Sequence, residues 1–102
     1  MSEFVTVAKQ SDLPEGEVRR FDFDGTAVAV ANVGGTLYAF GNTCTHQGCS
    51  LGQGELDGTT VTCPCHGSRF DVTSGAVLRG PATEPVTSYA VRVEGKGIQI
   101  RT

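Results

Sequence analysis

The segments Cys44-Thr45-His46-Gln47-Gly48-Cys49 and Cys63-Pro64-Cys65-His66-Gly67-Ser68-Arg69-Phe70 decide how this chain is read, because they concentrate its metal-binding side chains. All four cysteines and both histidines of the 102 residues lie in them. Each contributes one thiol and one imidazole at short spacing, Cys44 and His46 as CxH and Cys63 and His66 as CxxH, with sixteen residues between His46 and Cys63. Two thiolates and two imidazoles supply the four ligands that a [2Fe–2S] cluster requires, and placing two neutral imidazoles on one iron raises its potential. With four thiolates the oxidised cluster carries a charge of about −2, and with this mixed set it is near zero, so adding an electron costs less electrostatic work.

Zinc could use the same four side chains in a tetrahedral site. Zinc motifs, however, usually pair their ligands as CxxC and HxxxH, and this spacing does not match. A third reading makes the cysteines small buried hydrophobes, and it is weakened because the chain has no histidine outside the two segments.

The motifs CTHQGC at 44–49 and CPCHGSRF at 63–70 resemble the two cluster-binding loops of the Rieske iron–sulfur family, and the likeness reaches the Gly80-Pro81 turn, which in that family covers the cluster. The resemblance implies that Cys44 and Cys63 hold the inner iron and that His46 and His66 hold the outer iron near solvent. Cys49 and Cys65 match the pair that forms a disulfide in members like the cytochrome bc1 and b6f proteins. Such a bridge would close a loop of sixteen residues and contribute ~3 kcal/mol by the chain-entropy estimate. The opening MSEFVTVAKQ has an acidic third residue and no apolar run of signal-peptide length, which reads as a cytoplasmic chain. Disulfides are uncommon in that compartment, so two reduced thiols beside the cluster are the competing reading.

Hydrogen bonds to the sulfurs tune such a cluster. Ser68 matches a family serine that donates to a bridging sulfide, whereas Phe70 stands where high-potential members carry a donating tyrosine, and the pair implies an intermediate potential. Gly48 and Gly67 let the backbone approach the sulfurs, although either also reads as an ordinary turn glycine. Pro64 stiffens the second loop, and Pro81 belongs to the covering turn. Arg69 reads as a solvated surface arginine or as a contact for an acidic partner.

Outward from the motifs the period is two. Phe4–Ala8, Val18–Phe23, Thr26–Val33, Thr36–Phe40, Gly58–Cys63, Thr87–Glu94 and Gly97–Arg101 read as strands. Asp24-Gly25, Gly34-Gly35, Asp57-Gly58 and Glu94-Gly95-Lys96-Gly97 read as hairpin turns. Ser11-Asp12-Leu13-Pro14 suggests a short helical turn, and Leu37, Tyr38 and Phe40 suggest core. The expected fold is all-β: one domain over residues 1–102, a basal antiparallel β sandwich or barrel with an inserted cluster-binding lobe at about residues 42–82. The family resemblance implies the same Rieske-type architecture.

A chain of 102 residues with 38% hydrophobic content builds one adequate core, and no stretch approaches a membrane span. The net charge of −3 argues against nucleic acid. With both histidines used as ligands and no HExxH or nucleophile elbow, no group remains for bond-making chemistry, so the chain reads as an electron carrier and not an enzyme. By resemblance it is a ferredoxin component of a dioxygenase system. It would be a monomer that passes single electrons from a flavin-dependent reductase to a terminal oxygenase of the aromatic-ring-hydroxylating type. The alternatives are a soluble Rieske subunit of a quinol- or arsenite-oxidising complex, a zinc-stabilised binding module, and a sensor built on Cys49 and Cys65.

Overall fold

The glycine-centred turns fold the chain into successive antiparallel hairpins. A computed structural model describes residues 4–23, 25–43, 49–65, 67–80 and 84–101. Among these, the strands are β1 (Val5–Lys9), β2 (Val18–Phe23), β3 (Thr26–Val33), β4 (Thr36–Gly41), β5 (Glu55–Asp57), β6 (Thr60–Thr62), β7 (Arg69–Asp71), β8 (Val77–Arg79), β9 (Ser88–Glu94) and β10 (Gly97–Arg101). Two 3-10 turns, Gln10–Asp12 and Leu51–Gln53, complete the regular structure.

Gly34-Gly35 joins β3 to β4 with Val33 opposite Thr36, and Gly95-Lys96 joins β9 to β10 with Glu94 opposite Gly97. In the Asp24-Gly25 turn, Phe23 pairs with Thr26, while Asp24 itself lies outside the described residues. The expected strand Gly58–Cys63 is shorter than its pattern suggests. Gly58 and Thr59 make the turn between Asp57 and Thr60, and Cys63 leaves the ladder to enter a loop.

The first sheet has six strands in the order β1-β10-β9-β4-β3-β2, and the second has four in the order β5-β6-β7-β8. The whole second sheet is inserted between β4 and β9, which pair directly through Ala39↔Tyr89 and Phe40↔Ser88. The architecture is all-β, as expected from the period of two.

Strand β3 explains how the two sheets share a core. Residues 28–32 are all buried, so both faces of the strand are covered. Its odd-numbered Ala29 and Ala31 join Phe40, Leu51, Val61, Cys63, Phe70 and Val72 in a core between the sheets. Val28 and Val30 face the other way, into a core with Leu13, Ala39, Ile98 and Ile100. Small alanines on the first face leave room for Phe40 and Phe70, both fully buried. Phe40 is core as expected, whereas Tyr38 and Leu37 pack half-buried against the two cores.

Candidate metal centre

Three connections follow β4, β6 and β8: 43–50 after β4, 63–68 between β6 and β7, and 80–87 between β8 and β9. The first is closed at its base by an antiparallel bridge between Thr43 and Ser50. Asn42, only 3% exposed, fixes that base. Its Oδ1 accepts hydrogen bonds from Ser50 Oγ (3.1 Å) and the Gly52 amide (2.8 Å), and its carbonyl accepts from the Leu51 amide (2.8 Å). The sequence gives little sign of this role, because a lone asparagine at a strand end reads as turn punctuation.

The second connection folds on itself. The Cys63 amide donates to the Ser68 carbonyl (2.7 Å), and the Gly67 amide donates back to the Cys63 carbonyl (3.2 Å). Gly67 sits at φ 76°, a left-handed conformation that side-chain-bearing residues adopt at a cost. Cys63 and Ser68 are buried at the floor of this loop. Phe70, one step along β7, is fully buried in the same core as Cys63.

Cys49 and Cys65 form a disulfide, with Cα atoms 6.4 Å apart, that ties the first connection to the second. The reduced-thiol alternative gives way to this bond. The sulfurs of Cys49, Cys63 and Cys65 lie within 4.8 Å of one another. Two of the three are spent on each other, so the sulfur this group can offer a metal is that of Cys63.

The third connection is moored to the second sheet by Gly75. The Val86 amide donates to the Gly75 carbonyl (2.9 Å), and the Gly41 amide donates to the Thr87 carbonyl (2.8 Å). Of the expected site residues, Cys63, Ser68, Phe70, Gly67 and the Cys49–Cys65 pair are brought together around Cys63. Cys44, His46, Gly48, His66 and Pro81 lie outside the described residues. The described part fits a cluster in its chemistry: a buried thiol and a buried hydroxyl stand at the base of two cross-linked loops that carry the remaining candidate ligands in sequence. Among the described residues no helix is long and apolar enough to cross a membrane.

Comparison with known proteins agrees with this geometry. The family model described as the Rieske [2Fe–2S] domain matches residues 3–90. The chain is 44% identical over 91 residues to the 3-phenylpropionate/cinnamic acid dioxygenase ferredoxin subunit of Shigella boydii, covering 88% of this chain and 85% of that protein. It superposes on the ferredoxin of carbazole 1,9a-dioxygenase from Nocardioides aromaticivorans with a TM-score of 0.90 and 36% identity, covering 95% of each chain. A structure described as the complex of reduced oxygenase and oxidized ferredoxin in carbazole 1,9a-dioxygenase matches with a TM-score of 0.89 and 36% identity, over 95% of this chain and 91% of that one.

Proposed function

This chain belongs to the Rieske [2Fe–2S] domain family, and from that membership we propose that it is a one-electron carrier delivering electrons to a terminal oxygenase. The cofactor is a [2Fe–2S] cluster, which accepts and releases one electron at a time. The chain itself is not a catalyst. Cys44 and Cys63 supply the thiolates, His46 and His66 the imidazoles, and Cys49–Cys65 holds their loops in register. The electron enters on the histidine side of the cluster and leaves by the same route. The donor is a flavin-dependent reductase, the acceptor an oxygenase of the aromatic-ring-hydroxylating type, and both are met transiently by a cytoplasmic monomer.

The observation that carries this reading is the likeness, over nearly the whole chain, to ferredoxin components of dioxygenase systems, together with a buried Cys63 at the floor of cross-linked loops. The Cys49–Cys65 bridge favours one second reading, a soluble Rieske subunit of a quinol- or arsenite-oxidising complex. A redox titration across pH separates the two: the carrier has an intermediate, weakly pH-dependent potential near neutrality, and the quinol partner a high one. The ligand assignment is tested by His66→Ala. The variant should lose the paramagnetic signal of the reduced protein and part of its iron and acid-labile sulfide, and a normal signal would remove His66 from the ligand set.

A further inference from the structure

The β5–β8 sheet turns Leu56, Val61, Phe70 and Val77 to the core and its other face outward. Residues opposite one another in register share a face. Glu55, Thr62, Arg69 and Arg79 therefore form the outward row nearest the loops, and Asp57, Thr60 and Asp71 the row at the far end. Arg69 follows Ser68 of the second connection, and Arg79 precedes Gly80 of the third, so both guanidinium groups stand where the cluster loops leave the sheet.

This placement is unfavourable for folding, because like charges directly opposite on antiparallel strands repel. Among the described residues neither arginine forms an ion pair, whereas Arg19 pairs with Glu17 and Arg20 with Asp22. Both arginines are exposed. Between them the register shifts, and Leu78 at that irregularity is 55% exposed. A positive pair with an apolar tip thus sits beside the electron exit of a chain whose net charge is −3.

We infer that Arg69, Arg79 and Leu78 form the docking surface for an acidic rim on the terminal oxygenase, an inference that rests on the proposed function. The face is polarised, with Arg69 and Arg79 outweighing Glu55 in the row nearest the loops and Asp57 and Asp71 in the far row, so an acidic partner is drawn to the loops and repelled from the opposite end. An extended polyanion would meet both ends and gains nothing from this arrangement.

Two small oxidants test the field at the electron exit. The reduced holoprotein gives one electron to ferricyanide, producing ferrocyanide and oxidised protein, or one electron to the cation hexaammineruthenium(III). The ratio of the two rates largely cancels any change in potential. At ionic strength ~0.1 M, where charges beyond about 10 Å are screened, Arg69→Gln/Arg79→Gln should lower the ferricyanide-to-ruthenium ratio by roughly fivefold. Arg69→Lys/Arg79→Lys should restore it. Lys9→Gln/Lys96→Gln makes the same change in net charge at the β9–β10 end, about 20 Å along β9 from the loops, and should leave the ratio unchanged. Against the oxygenase, the glutamine pair and Leu78→Ser should slow the second-order rate and spare the saturating rate. An unchanged ratio, or an unchanged second-order rate in variants with intact cluster spectra, overturns the surface. A wild-type holoprotein that reduces no terminal oxygenase overturns the proposed function instead, and with it this partner.

Discussion

In the proposed site two side chains, Ser68 and Phe70, would tune the cluster from the floor of the second loop. Ser68 is fully buried beside Cys63, and Ser68→Ala should lower the potential with the cluster retained, because a donor that favours the reduced, more negative cluster is removed. Phe70→Tyr should raise it. The new hydroxyl enters the core that contains Cys63, and a buried hydroxyl left without a partner is costly, so sulfur is the acceptor it should find. A redox titration checks both, and a folded Phe70→Tyr holoprotein with unchanged potential would place the hydroxyl away from the sulfurs. The cysteine and histidine spacing marks the two loops in the sequence, and the Cys49–Cys65 bond joins them. Asn42 was not legible, since its importance comes from accepting two hydrogen bonds at the base of the first connection, a tertiary fact with no local signature. Removing that acceptor in Asn42→Ala should cost about 1–3 kcal/mol, read as a fall in denaturation midpoint.

Among the strands, those long enough to repeat a pattern were readable, and of the three-residue strands only β6 was marked, inside the longer Gly58–Cys63 pattern. Strands β2, β3 and β10 fall on the residues that alternation marks, because five to eight residues show the period several times. Strands β5, β7 and β8 have three residues each, about one period, and their existence depends on the insertion between β4 and β9. Gly75 illustrates the same limit. It sits at φ 83°, and a Cβ there would collide with the Val86 carbonyl of the third connection. Gly75→Ala should therefore cost at least ~2 kcal/mol, from backbone strain and overlap together. The damage should concentrate in the third connection, measured as faster amide exchange at Val86, whose amide bonds to Gly75. The Cys49–Cys65 link joins residues sixteen apart, and replacing both by serine should lower stability by ~3 kcal/mol in urea titrations of the holoprotein.

Across the whole molecule, the two cores differ in their dependence on the cofactor. The core between the sheets includes Cys63, so it ends at a cluster ligand of the proposed site. The core of Leu13, Val28, Val30, Ala39, Ile98 and Ile100 contains no such residue and is built from the six-stranded sheet and the segment just before β2. Strand β3 belongs to both, with alternate residues in each. Removing iron would leave the proposed thiolate and imidazole ligands without their shared centre and should loosen the loop that begins at Cys63 in the first core. The six-stranded sheet keeps its hydrogen-bond ladder and its own buried side chains. Amide exchange of iron-free against cluster-loaded protein should therefore accelerate in β6 and β7, by tenfold or more where local opening becomes ~1.4 kcal/mol easier, while β3 and β10 stay slow. Equal acceleration in β10 would mean that the cofactor organises both cores, since Ile98 and Ile100 could lose protection only if the basal sheet itself opened.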